Sequence, residues 1–158
     1  MKKLFYLFTI LFAALFAACD SDNGQYVDLG LPSGTLWYSK NEGGDDIRYT
    51  YDEAINNFGS KLPTKEQLEE LRDKCTWTWT WIGSGYKVVG PNGNSIYFPA
   101  AGVHYYLGTV EGVGSHGGYW SSTPNRSDSA YLLGFNSDYV GMASNYRCYG
   151  RSVRLVQD

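Results

Sequence analysis

The chain has 158 residues and a formal charge of −3, which becomes −5 once the two leader lysines, Lys2 and Lys3, are discounted; a surface of that sign disfavours nucleic acid as a partner. Nineteen glycines and fourteen tyrosines, with few long charged runs, favour a turn-rich β or α+β domain over a charged helical bundle. Beyond the leader roughly 140 residues remain, enough for one domain with a real core.

Lys2-Lys3 precedes an apolar run over residues 4–16 and then Ala17-Ala18-Cys19. A short basic region, an apolar stretch of this length and small residues before a break describe a secretory signal, and the run is too short for a spanning helix. The cysteine directly after Ala17-Ala18 resembles the end of a bacterial lipoprotein signal, although Phe16 stands where that pattern prefers Leu. Residues 1–18 are then a signal peptide and Cys19 the lipidated first residue of the mature chain. Several acyl chains would anchor it stably, at about 0.8 kcal/mol per buried methylene. Residues 19–25 read as a polar tether, and 26–158 as the domain it holds. The expected location is the outer membrane, with the domain exposed.

Tyr26-Val27-Asp28-Leu29 and Thr35-Leu36-Trp37-Tyr38 read as short strands about a Pro32-Ser33-Gly34 turn. Two helices follow. Thr50 is the first N-cap, with Ala54, Ile55 and Phe58 as the apolar face and Gly59 as the end. Thr64 with Gln67 makes a capping box for the second, where Leu68, Leu71 and Cys75 share a face. Cys75 and Cys148 remain after maturation, either as one disulfide or as two separate buried thiols. The alternation from Thr76 to Trp81 predicts a strand with Trp77, Trp79 and Trp81 on one face. Gly90-Pro91-Asn92-Gly93 between Tyr86-Lys87-Val88-Val89 and Ser95-Ile96-Tyr97-Phe98 predicts a hairpin. Residues 103–117 are glycine-rich and read as a long loop.

Three runs in 118–156 read as neighbouring antiparallel strands: one through Tyr119-Trp120, one over 131–135, and one over 152–156. In the last, Val153 and Leu155 are expected to face the core and Arg154 the solvent.

The mature chain also resembles the paralogous lipoprotein domain of Bacteroides-type bacteria, first described as the major paralogous domain of Fibrobacter succinogenes. The matching residues are 26–37 (YVDLGLPSGTLW), 62–67 (LPTKEQ), 90–96 (GPNGNSI), 99–102 (PAAG), 119–124 (YWSSTP) and 150–154 (GRSVR). After Trp37 the chain departs from the usual Ala-Thr-Cys continuation and shortens an insert found there. The resemblance implies a C-type-lectin-like α+β fold, two helices against a small antiparallel sheet with paired N- and C-terminal strands and long loops. It also implies a surface binding or adhesion module.

The calcium–sugar motifs of C-type lectins, Glu-Pro-Asn or Gln-Pro-Asp with Trp-Asn-Asp, do not occur in the sequence. His104 and His116 lack the companion ligands of a zinc site. Ser121-Ser122 has no elbow glycine, and Glu66, Glu69 and Glu70 belong to a polar helix face. No catalytic residue, metal or cofactor is therefore assigned, and the chain reads as a non-enzyme. The expected function is a lipid-anchored module that binds a glycan or protein through its loops, the alternative being a structural or accessory subunit of a surface assembly. The ligand residues are expected among Trp81, His104, Tyr105, Tyr106, His116, Asn125, Arg126, Asp138 and Tyr139, on loops near 103–118, 125–128 and 136–145. Tyrosine, asparagine and arginine there suit adaptable recognition at low side-chain entropy cost.

Overall fold

A computed structural model describes residues 24–106 and 108–158; the expected leader, the expected lipidation site Cys19 and the first part of the expected tether lie outside them. Strands β1 (Tyr26–Asp28) and β2 (Leu36–Tyr38) pair across a turn closed by the Gly34 amide on the Leu31 carbonyl at 2.9 Å. Helix α1 (Tyr51–Phe58) starts at Thr50, whose hydroxyl accepts from the Glu53 amide while the Glu53 carboxylate accepts from the Thr50 amide. A 3-10 turn, Gly59–Lys61, leads to α2 (Lys65–Lys74), opened by the expected Thr64–Gln67 box and closed at Cys75. Each box satisfies amides that a helix start leaves without intrahelical partners.

Strands β3 (Thr76–Thr80), β4 (Gly85–Val89) and β5 (Ser95–Pro99) form one meander, with Trp77 opposite Val88 and Trp79 opposite Tyr86. A short ribbon, β6 (Val103–His104) with β7 (Val110–Glu111), follows. Then β8 (Gly117–Pro124), β9 (Ser129–Asn136) and β10 (Tyr139–Tyr146) make the longest ladder, ordered β10-β9-β8. The last strand, β11 (Val156–Gln157), completes a sheet ordered β1-β2-β11.

This architecture corrects the α+β, C-type-lectin-like expectation. The protein is mostly β, 41% strand against 16% helix, in four small antiparallel sheets with two helices among the described residues. Three local reasons account for the difference. Residues 103–117 hold a ribbon rather than an open loop, and 139–146 are a full strand rather than part of a loop. The chain ends do share a sheet, yet β2 lies between them, so β1 and β11 are not paired with each other. The 152–156 run is mainly a buried connector, and the third strand of the long ladder is β10.

The β8–β9 pair separates two cores. Tyr119 opposite Leu133, with Phe135, enters a core shared with Leu29, Trp37, Leu68, Leu71, Val88 and Phe98. Trp120 opposite Leu132, with Ala130, enters a second core against Tyr51, Ala54, Leu62, Val153 and Leu155. Period-two alternation sends neighbouring residues to opposite faces, and both faces are covered. Full burial of such a side chain contributes about 1.5–3 kcal/mol. Trp37 and Trp120 are wholly buried, as their strand positions predict.

Candidate functional site

Arg154 is the first departure from the sequence expectation. Instead of facing solvent it is fully buried. Its guanidinium donates to the Tyr97 carbonyl (2.7 Å), the Asn41 Oδ1 (2.6 Å) and the Tyr38 carbonyl (3.1 Å), and lies 4.4 Å over the Phe98 ring. Burial holds its pKa below the ordinary value, with Tyr119 opposing that shift. A planar fork meeting neutral oxygens and an aromatic face keeps its charge even so. The same burial pushes the Tyr119 hydroxyl up to about 12, and that hydroxyl donates to the Pro99 carbonyl at 3.1 Å. This cluster ties the C-terminal connector to β2, β5 and the loop at Asn41, so it works as a structural clasp.

The nine expected ligand residues do not share one surface: most fall into three groups, and His116 stands apart. Trp81 stands 78% exposed just beyond β3, its ring edge-on to Trp79 at 5.9 Å. Trp77 and Trp79, by contrast, pack against the first core, where Tyr86 meets them edge to face at 5.5 and 5.1 Å. Asp138 and Tyr139 sit at the β9–β10 turn, formed when the Asn136 side chain accepts the Asp138 amide at 2.9 Å. Beneath that turn the Tyr86 hydroxyl donates to the Asn136 and Ser137 carbonyls. Burial, then the Asp138 charge, raises the Tyr86 pKa. His116 lies apart from these, its Nδ1 2.9 Å from the Ser115 hydroxyl.

The third surface gathers most of the remaining residues. His104 pairs through its backbone with Gly150. Next to it, Tyr105 meets Tyr149 edge to face at 5.1 Å, and Tyr149 meets Tyr146 at 5.8 Å. Tyr146 then walls an open cleft of about 360 Å³ with Asn125, Arg126, Asp128 and Ser144. A second depression shares Asp128 and Tyr146 and adds Arg147, Cys148 and Asp52. Arg147 is held in place: it pairs with Asp52 at 2.9 Å, donates to the Ser127 carbonyl and covers the Tyr51 ring at 4.6 Å. Arg126, in contrast, makes no ion pair among the described residues and is exposed. Tyr106 is also exposed, at the tip of the β6–β7 ribbon.

Tyr146 and Tyr149 were missed by sequence reasoning. A tight turn, with the Tyr149 amide on the Tyr146 carbonyl at 3.1 Å, swings the two rings together, so the Tyr-x-x-Tyr spacing before a glycine was the available signal. The cysteines form no disulfide: Cys148 is exposed and Cys75 half-buried at the end of α2. Burial, then the Glu70 charge, pushes the Cys75 thiol up to about 11. The arrangement of rings, amide, guanidinium and carboxylate offers stacking faces and hydrogen-bonding groups around a shallow cleft.

Residues 84–156 match a family described as a domain of unknown function, DUF8237. No curated protein and no solved structure matches the chain.

Proposed function

We propose that this chain is a lipid-anchored, non-catalytic binding module outside the cell, and that carbohydrate is its ligand. The observation that carries this reading is the tyrosine tract, Tyr105–Tyr149–Tyr146, leading into a cleft where the exposed Arg126 makes no ion pair among the described residues. Sugar rings stack their C–H faces on flat aromatic surfaces, while amide and guanidinium groups meet hydroxyls at the rim. Tyrosine supplies contact area with few rotatable bonds, so ordering it on binding costs little. The shallowness of the cleft suits an extended chain lying across it.

A glycan array probed with the folded protein tests the reading. Tyr146→Ala and Arg126→Ala should each weaken retention roughly tenfold, the equivalent of about 1.4 kcal/mol. Absence of binding by a folded sample would remove carbohydrate as the ligand, and variants that bind as well as the parent would remove this surface.

A further inference from the structure

We infer that the Trp81–Ile82 tip is a membrane-contacting wedge, dipping into the lipid surface to which the chain is tethered. The inference rests on the reading of Cys19 as the lipid-modified residue and goes beyond it, because an acyl anchor alone does not orient a domain.

Residues 81–84 turn tightly between β3 and β4, with Gly83 at φ +97° and Ser84 at φ +52°. This turn presents two large apolar side chains in succession, Trp81 at 78% and Ile82 at 96% exposure. Edge contact with Trp79 holds the Trp81 ring outward. Val113, 62% exposed, extends the apolar end, since its neighbour Gly114 packs beside Ser84. Ile82, at the rim of the groove behind the tip, exposes an aliphatic side chain that has no group able to hydrogen-bond. An exposed aliphatic residue beside an indole at a turn matches the boundary between headgroups and acyl chains, where indole is enriched.

The path of the chain gives the second argument. The groove behind the tip is lined by Trp81, Ile82, Lys87 and Tyr97 together with Ser39. Ser39 and Tyr97 also line the adjoining cleft that contains Gly24. The Ser39 hydroxyl accepts the Gln25 amide at 3.0 Å, and the Ser39 amide donates to the Gln25 carbonyl at 2.8 Å. Gly24, the first described residue, therefore lies beside the groove. Five Cα–Cα steps link Gly24 to Cys19 and span at most about 18 Å. Acyl chains on Cys19 are thus confined to the neighbourhood of the tip, and a bilayer accepting them lies within reach of Trp81 and Ile82. Lys87 adds a cation on the same groove for headgroup phosphate.

The test uses the full chain matured in a bacterial host and reconstituted into vesicles of phosphatidylethanolamine and phosphatidylglycerol, with and without brominated acyl chains. Bromine quenches indole fluorescence only at contact range. Expected is quenching in the parent protein that is lost in Trp81→Phe and reduced in Ile82→Ser, with unchanged circular dichroism in each variant. Equal quenching in parent and Trp81→Phe would overturn the inference, as would Trp81 emission already shielded without vesicles by a second copy or a co-purifying protein. Cys19→Ser separates the two readings. If that variant stays as membrane-bound as the parent, the lipid anchor is wrong; if it becomes soluble while the parent shows no Trp81-dependent quenching, the anchor stands and the wedge fails.

Discussion

Arg154 shows how much one side chain can decide. Three carbonyl-type oxygens from separate segments converge on its guanidinium, and Phe98 closes one face. Arg154→Ala leaves those acceptors buried without donors and opens a void between the β1-β2-β11 sheet and the β3–β5 meander. The expected cost is about 3–4 kcal/mol, read as a lower urea midpoint at unchanged slope. Lysine in its place would recover only part of this, because one ammonium nitrogen can neither reach acceptors that two guanidinium nitrogens now meet nor lie flat over Phe98. Two other groups, half-buried Cys75 and fully buried Tyr119, predict a response to alkali. Cys75 moves from an ordinary 9.0 to about 11, and Tyr119 from 10.0 to about 12. Between the ordinary and the raised values the unfolded chain has released protons that the folded chain keeps. Stability therefore falls as pH rises through that window. Urea melts at about pH 8 and about pH 11 should show the midpoint dropping, and Cys75→Ser should lessen the drop at the lower end.

Elements differ in how openly the sequence declares them. The Thr64–Gln67 box, the Asn92-Gly93 hairpin and the Trp77/Trp79 face are legible because each depends on chemistry within a few residues. Strand β10 is not. Its exposed residues, Tyr139, Ala143, Ser144 and Tyr146, do not alternate with buried ones, it contains Gly141, and its turn at 137–138 is built by the Asn136 side chain rather than by Asn-Gly. The β6–β7 ribbon is hidden by its glycines and by strands only two residues long. Arg154 misleads for a related reason: alternation predicts which way a side chain points but cannot supply the oxygens that await it from residues 38, 41 and 97. The candidate surface was half visible. Tyr105, Asn125 and Arg126 stood out in polar loops, while Tyr149 joins them through its contact with Tyr105 and Tyr146 through the cleft it shares with Asn125 and Arg126, both long-range in sequence.

Across the whole molecule, the segment that matches DUF8237 is not a self-sufficient unit. It begins at Ser84, after β1, β2, α1, α2 and β3. The excluded part supplies Leu29, Trp37, Leu68 and Leu71 to one core and Tyr51, Ala54 and Leu62 to the other. A fragment beginning at residue 84 would expose the counter-surfaces of both, so it should lack the dispersed amide spectrum of a folded domain. A well-dispersed spectrum from that fragment would show that the two cores tolerate losing half their walls.

The covered β8–β9 pair also limits how this protein can diverge. A sheet with one wet face has every second position free to vary, but Tyr119, Trp120, Leu132 and Leu133 have dry neighbours on either side. No sublattice of neutral sites exists there. Descendants can accumulate change along the rims, at the ribbon tip and on the outer side of β10, while the centre must change in compensating pairs or not at all.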